Sequence, residues 1–151
     1  MNQNDMPAVI GFYGYSQSGK TTLIVEILER LKMRGIMVGV IKVTDKFISS
    51  ESADKDTSVF RTSGAVITSF SSKKETNFVI SEPLIIKENI NKLMQLTKLD
   101  LIIVEGASDP DIPKIRLGDK PLRENTLFTY TGNIVDVEKK IFEMLNKKGK
   151  I

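Results

Sequence analysis

The stretch Gly14-Tyr15-Ser16-Gln17-Ser18-Gly19-Lys20-Thr21 constrains this chain more than any other. It fits the pattern of a glycine, four residues, then Gly-Lys and a Ser or Thr. Its flanks agree with that pattern. Val9 to Tyr13 is apolar and short, and reads as a buried strand. From Lys20 to Arg34, Leu23, Ile24, Ile27, Leu28 and Leu31 fall on one helical face, with Glu26, Glu29, Arg30 and Lys32 on the other. Gly35 then closes the helix. Small residues between a strand and a helix let successive backbone N–H groups wrap an anion, and the helix N-terminus adds its positive dipole end. The segment therefore predicts a cradle for the phosphates of a nucleoside triphosphate. Gly14, Ser16, Gln17, Ser18 and Gly19 supply the loop backbone. Lys20 reaches the β- and γ-phosphates, Thr21 offers its hydroxyl to magnesium, and Thr22 caps the α-phosphate. The alternative, a chance match on an ordinary strand–turn–helix, does not account for the flanks.

The remaining pattern alternates strand with helix. Ile36 to Ile41 is rich in β-branched residues and predicts a second strand; Lys42 to Ser52 has no period and reads as a loop. Asp56 to Ser63 predicts a short helix, Ala65 to Phe70 a strand, and Asn77 to Ile80 its hairpin partner across the Ser71 to Lys74 turn. Pro83 fits the first turn of a helix whose inner face is Ile86, Ile90, Leu93 and Met94. Leu101-Ile102-Ile103-Val104 is the most apolar run and predicts a central parallel strand. Lys114 to Leu117 and Leu127 to Tyr130 read as short strands, and Val137, Ile141, Phe142 and Leu145 as a closing helix. No linker or repeat interrupts the series. The expected fold is a single three-layer α/β domain over residues 1–151 with a mostly parallel sheet, and residues 147–151 are expected to be a disordered tail.

Composition removes whole classes of chemistry. The 151 residues include no cysteine and no histidine. Disulfides, thiolate or histidine metal sites and a histidine base are thereby excluded. The net charge of +3 suits an anionic ligand, and no basic stripe interleaved with aromatics points to nucleic acid. No apolar run approaches the roughly 20 residues of a membrane helix, and Met1 to Pro7 is polar. Cytoplasm is the expected compartment.

Three further elements qualify as site candidates. Glu105 follows the apolar run and stands at a strand's C-terminal end, where such sheets bind ligands and where an acid beside magnesium belongs; a solvated strand-end charge is the alternative. Lys42 and Asp45 follow the second strand and are candidates for phosphate or metal, or members of a solvated loop. Asp56 and Arg61 are candidates for switch-like groups near the γ-phosphate, or a helix cap and a surface arginine.

Together the Gly-Lys-Thr-Thr loop, Val40-Ile41-Lys42, the run from Lys55-Asp56-Thr57 through Arg61 to Gly64-Ala65, Asp100 to Gly106, and Pro113-Lys114-Ile115 resemble the molybdopterin-guanine dinucleotide biosynthesis adapter proteins, the MobB family. The resemblance runs from about Ala8 to Leu117. It implies a P-loop NTPase fold, GTP and magnesium as ligands, weak intrinsic GTP hydrolysis, a homodimer, and a partner guanylyltransferase that joins GMP to molybdopterin. It also places Arg61 and Lys114 near the active face. The chain departs from the family at three places. Val43-Thr44-Asp45-Lys46 stands where histidines are usual, Gln17 stands where a glycine is usual, and the segment after Leu117 matches poorly. With no residue evident to orient water, hydrolysis is expected to be slow. Two other readings share the cradle: a small-molecule kinase using ATP, with Arg116 and Arg123 as lid, and an interaction module that binds no nucleotide.

Overall fold

The computed structural model describes residues 6–49 and 54–151. In chain order the elements are β1 (Ala8–Tyr13), α1 (Lys20–Met33), β2 (Val38–Lys42), α2 (Lys55–Thr62), β3 (Ile67–Ser71), β4 (Thr76–Ile80), α3 (Ile86–Leu96), β5 (Leu101–Glu105), β6 (Lys114–Leu117), β7 (Thr126–Tyr130) and α4 (Ile134–Lys147). Every element read from the sequence is present, with ends displaced by a few residues. The expected loop from Lys42 to Ser52 lies partly outside the described residues.

Where the sequence predicts one domain, the chain divides into two compact units: Met1–Thr44 with Ile90–Ile151, and Asp45–Asn89. The strands explain the division. β3 and β4 pair antiparallel with each other, in register from Ile67 opposite Ile80 to Ser71 opposite Thr76, and form their own two-stranded sheet. They add nothing to the main sheet.

That main sheet has five strands in the order β2-β5-β1-β6-β7, every pair parallel. β5 is inserted between β1 and β2, and β6 lies on the other side of β1. The chain thus changes direction across the sheet at β1, and a crevice opens at the C-terminal ends of strands where this happens. One sheet face carries the core: Ile10 and Phe12 of β1, Leu101 and Ile103 of β5, and Ile115 and Leu117 of β6 pack with Leu23, Ile27 and Leu31 of α1 and Val137, Ile141 and Leu145 of α4. Each such side chain removed from water contributes roughly 1.5–3 kcal/mol. Arg30 ties the two helices together, donating to Glu26 and to Glu138 at 2.9 Å each. On the opposite face, Ala107 and Ile112 of the β5–β6 loop and Lys114 of β6 close over Gly11.

Two expectations are corrected. α3 begins at Ile86 rather than at Pro83. The carboxylate of Glu88 accepts from the N–H of Ile85 at 3.3 Å, so this first-turn acid sets the start. Ile86, Ile90, Leu93 and Met94 are half-buried, as the periodicity predicts. Nor is the C-terminus a loose tail from Lys147. α4 reaches Lys147, Gly149 adopts φ 64°, and the N–H groups of Gly149 and Lys150 return to Asn146 and Leu145 at 3.0 Å. That double return is a Schellman cap. In the other unit, Asp54 caps α2, its carboxylate accepting from Thr57 N–H at 3.0 Å. Among the described residues, no helix is long and apolar enough to cross a membrane.

Candidate functional site

The crevice at β1 is lined by the ends of four strands. The Gly14–Gly19 loop runs from β1 into α1, Lys42 ends β2, Glu105 ends β5, and the loop after Leu117 leaves β6. The sheet is hydrogen-bonded right up to this edge. Glu105 carbonyl accepts from Val43 N–H at 2.8 Å, and Gly106 N–H donates to Phe12 carbonyl at 2.8 Å. Lys42 lies opposite Glu105 in the β2–β5 register. Gly106 has φ 85°, and a Cβ there would run into the carbonyl oxygen of Val43. Only glycine allows the chain to turn away at this point.

The loop itself is shaped by close approach. A Cβ on Gly14 would sit 2.5 Å from the Leu117 carbonyl and 2.7 Å from Ser18 Oγ. Gln17 holds φ 62°, a left-handed conformation that costs a non-glycine residue about 1 kcal/mol. The usual glycine of the family resemblance therefore corresponds to a real backbone demand, which glutamine meets under strain. Gly19, at φ 88°, is the N-cap of α1 and brings no side-chain acceptor, so the first helical N–H groups face the crevice without a built-in partner from the cap.

Lys20 sits inside this ring. Its ammonium donates to Gly14 carbonyl at 3.0 Å, Tyr15 carbonyl at 2.6 Å and Ser18 Oγ at 3.3 Å. Its pKa is lowered from the ordinary 10.5 first by burial and then by the charges of Lys120 and Lys42, while Glu105 opposes the shift. Lys20 thus feels the charges of two further lysines and of one carboxylate. Thr21 Oγ1 stands 3.5 Å from Glu105 Oε1, a long and weak contact that leaves both oxygens largely uncommitted. Such a place can hold a polyanion against lysines and a helix N-terminus, with a hydroxyl and a carboxylate beside it.

The structure brings Gly14, Ser16, Gln17, Ser18, Gly19, Lys20, Thr21, Thr22, Lys42 and Glu105 into one unit. Asp56 and Arg61 belong to the other. There Asp56 lies in the exposed first turn of α2, and Arg61 donates to Thr68 Oγ1 at 3.2 Å. Lys114 is in the first unit but is fully buried, its ammonium donating to the carbonyls of Asp109 at 2.7 Å and Glu124 at 2.6 Å. Burial is the main cause that lowers its pKa. It ties the β5–β6 loop to the β6–β7 loop. Arg123 does similar work, donating to Ala107 carbonyl at 2.5 Å and lying over the Tyr13 ring at 4.9 Å. Arg116 donates to Thr129 Oγ1 at 2.9 Å and to Lys120 carbonyl at 3.1 Å. Neither arginine is arranged as a mobile lid. The one mark of Lys120 in the sequence is the Gly118-Asp119-Lys120-Pro121 turn.

Similarity to known proteins points one way. A sequence model of the family described as molybdopterin guanine dinucleotide synthesis protein B matches residues 9–139, extending past Leu117. A putative molybdopterin-guanine dinucleotide biosynthesis adapter protein of Methanocaldococcus jannaschii is 33% identical over 147 residues, covering 89% of this chain and 61% of that protein. The adapter protein of Escherichia coli K12 is 33% identical over 115 residues, covering 74% of this chain and 66% of that one. The chain thus spans a little under two thirds of the length of these relatives. Among solved structures, Bacillus subtilis MobB superposes with a TM-score of 0.73 at 16% identity, covering 91% of this chain and 98% of that one. The fold is therefore shared, and with the match over residues 9–139 the chain belongs to the MobB family of molybdopterin guanine dinucleotide synthesis proteins.

Proposed function

We propose that the protein is a GTP-binding adapter that assists the attachment of GMP to molybdopterin, with slow hydrolysis of its own. The observation that carries this reading is the convergence of the Gly14–Gly19 loop, Lys20, Thr21 and Glu105 at the strand-order switch of the sheet. The family match supports the pathway, and GTP is the nucleotide that the sequence resemblance implies. Lys20, released from the Gly14 and Tyr15 carbonyls, carries its charge to the β- and γ-phosphates. The N–H groups at the start of α1 receive the remaining phosphate oxygens.

The residues fit magnesium. Thr21 Oγ1 and Glu105 Oε1 are hard oxygen donors 3.5 Å apart, and this ion takes one or two protein oxygens with the rest from phosphate and water. When bound, the ion neutralises charge on the β- and γ-phosphates. No histidine exists to orient a water, so turnover stays slow.

The partners are a molybdopterin guanylyltransferase and a second copy of the chain. The unit Asp45–Asn89 supports a protein partner: Phe47, Val59, Phe60, Val66, Ile67 and Phe78 are all exposed. The test adds the purified chain to a guanylyltransferase reaction with molybdopterin and magnesium GTP. Faster GMP transfer is expected, and a rate unchanged by the chain refutes the adapter reading.

A further inference from the structure

The β6–β7 loop, residues 118–125, brings one more cation to the crevice. Arg116 on β6 holds it by the Lys120 carbonyl at 3.1 Å and is itself held by Thr129 of β7 at 2.9 Å. The Lys120 backbone is thereby fixed to two strands of the sheet. Its side chain extends toward the Gly14–Gly19 loop, with Nζ 5.4 Å from the ring centroid of Tyr15. Tyr15 is half exposed, and a cation over an exposed ring is held weakly. Among the described residues no carboxylate forms an ion pair with Lys120. The neighbouring cations of the loop are committed elsewhere: Arg123 to Ala107 and Tyr13, Arg116 to Thr129 and the loop backbone.

We propose that Lys120 is a phosphate-binding residue of this site, delivered by the β6–β7 loop and resting on the Tyr15 ring until a polyphosphate is bound by Gly14 to Thr22. The inference rests on the triphosphate reading above. After burial, the charges of Lys120 and Lys42 both lower the pKa of Lys20, so Lys120 acts electrostatically on the lysine of the loop as well as resting on its Tyr15. Like charges that act on one another repel until an anion enters between them, and a lysine on a flexible four-carbon stem can leave a ring for a phosphate.

The experiment titrates magnesium GTP, and separately inorganic triphosphate, into the wild-type protein and the variants Lys120→Ala, Lys120→Arg and Lys98→Ala. Lys98 is an exposed lysine at the opposite end of the strands, preceding β5, and controls for loss of net charge. One charge-assisted phosphate contact corresponds to about tenfold in affinity. Lys120→Ala should weaken both ligands by about that factor, while Lys120→Arg and Lys98→Ala stay within about threefold of wild type. Affinity of Lys120→Ala equal to wild type for both ligands overturns the assignment. A loss confined to GTP also overturns it, since that places the residue on the nucleoside. Wild-type protein that binds neither ligand overturns the triphosphate reading itself, and the Lys120 assignment falls with it.

Discussion

Replacing Lys114 with methionine sets two opposing effects against each other. The substitution removes a fully buried charge, whose desolvation costs several kcal/mol, and keeps the apolar stem and volume. Removal alone would favour the variant. The partners, however, are backbone carbonyls of Asp109 and Glu124, 2.7 and 2.6 Å from the ammonium, and they stay behind. A charge-assisted hydrogen bond is worth about 1.5–3 kcal/mol, and a carbonyl buried without a donor costs about 1–3 kcal/mol. With two of each, the losses outweigh the gain, and Lys114→Met should destabilise the fold by about 2–4 kcal/mol. For a chain of this size that lowers the melting temperature by about 5–12 °C. Thermal unfolding at neutral pH measures it. A melting temperature unchanged or raised would refute the reasoning, because it would mean that the two loops are not held by this amine. The pH profile supplies a second readout. Burial holds the folded-state pKa of Lys114 below 10.5, so between the two values the unfolded chain binds more protons. Wild-type stability therefore rises as pH climbs through that range, and the variant should lose part of that rise. Triphosphate affinity, corrected for the folded fraction, should change little, since the amine faces the loops rather than the crevice.

Two further outcomes follow from the same geometry. Gly106→Ala places a Cβ against the Val43 carbonyl at a φ of 85°, and should cost about 2–4 kcal/mol in thermal unfolding; a melting temperature near wild type would show that the β5 turn relaxes freely. Glu105→Gln keeps the shape of the strand end and removes the carboxylate beside Thr21, 3.5 Å away. It should weaken the magnesium dependence of GTP binding by about tenfold in magnesium concentration, and an unaltered dependence would remove Glu105 from the metal.

Much of this was legible because it is local. The strand, glycine-rich loop and helix from Ala8 to Met33 follow from periodicity and spacing, and so does β5 with its buried run Leu101 to Val104. Lys114 shows where local reading ends. Whether a residue at the start of a strand faces a crevice or a core depends on register, and here Lys114 pairs with Gly11, whose missing side chain lets Ala107 and Lys114 close over it. The same limit applies to Arg116 and Arg123. A Gly-Asp-Lys-Pro turn flanked by arginines reads as a lid, yet the guanidiniums turn inward to Thr129 and Ala107, and the lysine between them lies over the ring of Tyr15 in the loop. Asp56 and Arg61 fall in a second unit because β3 and β4 pair only with each other, which the hairpin pattern predicts without saying where the hairpin goes.

Calorimetric titration of GTP and of ATP, each with magnesium, into wild-type protein and Lys20→Ala measures whether the Gly14–Thr22 cradle holds a triphosphate. The wild type should bind GTP selectively and the variant should bind neither nucleotide, with the melting temperature of the unliganded variant close to wild type. Equal GTP affinity in both proteins would contradict it, because the ammonium ringed by Gly14, Tyr15 and Ser18 would then have no part in holding phosphate.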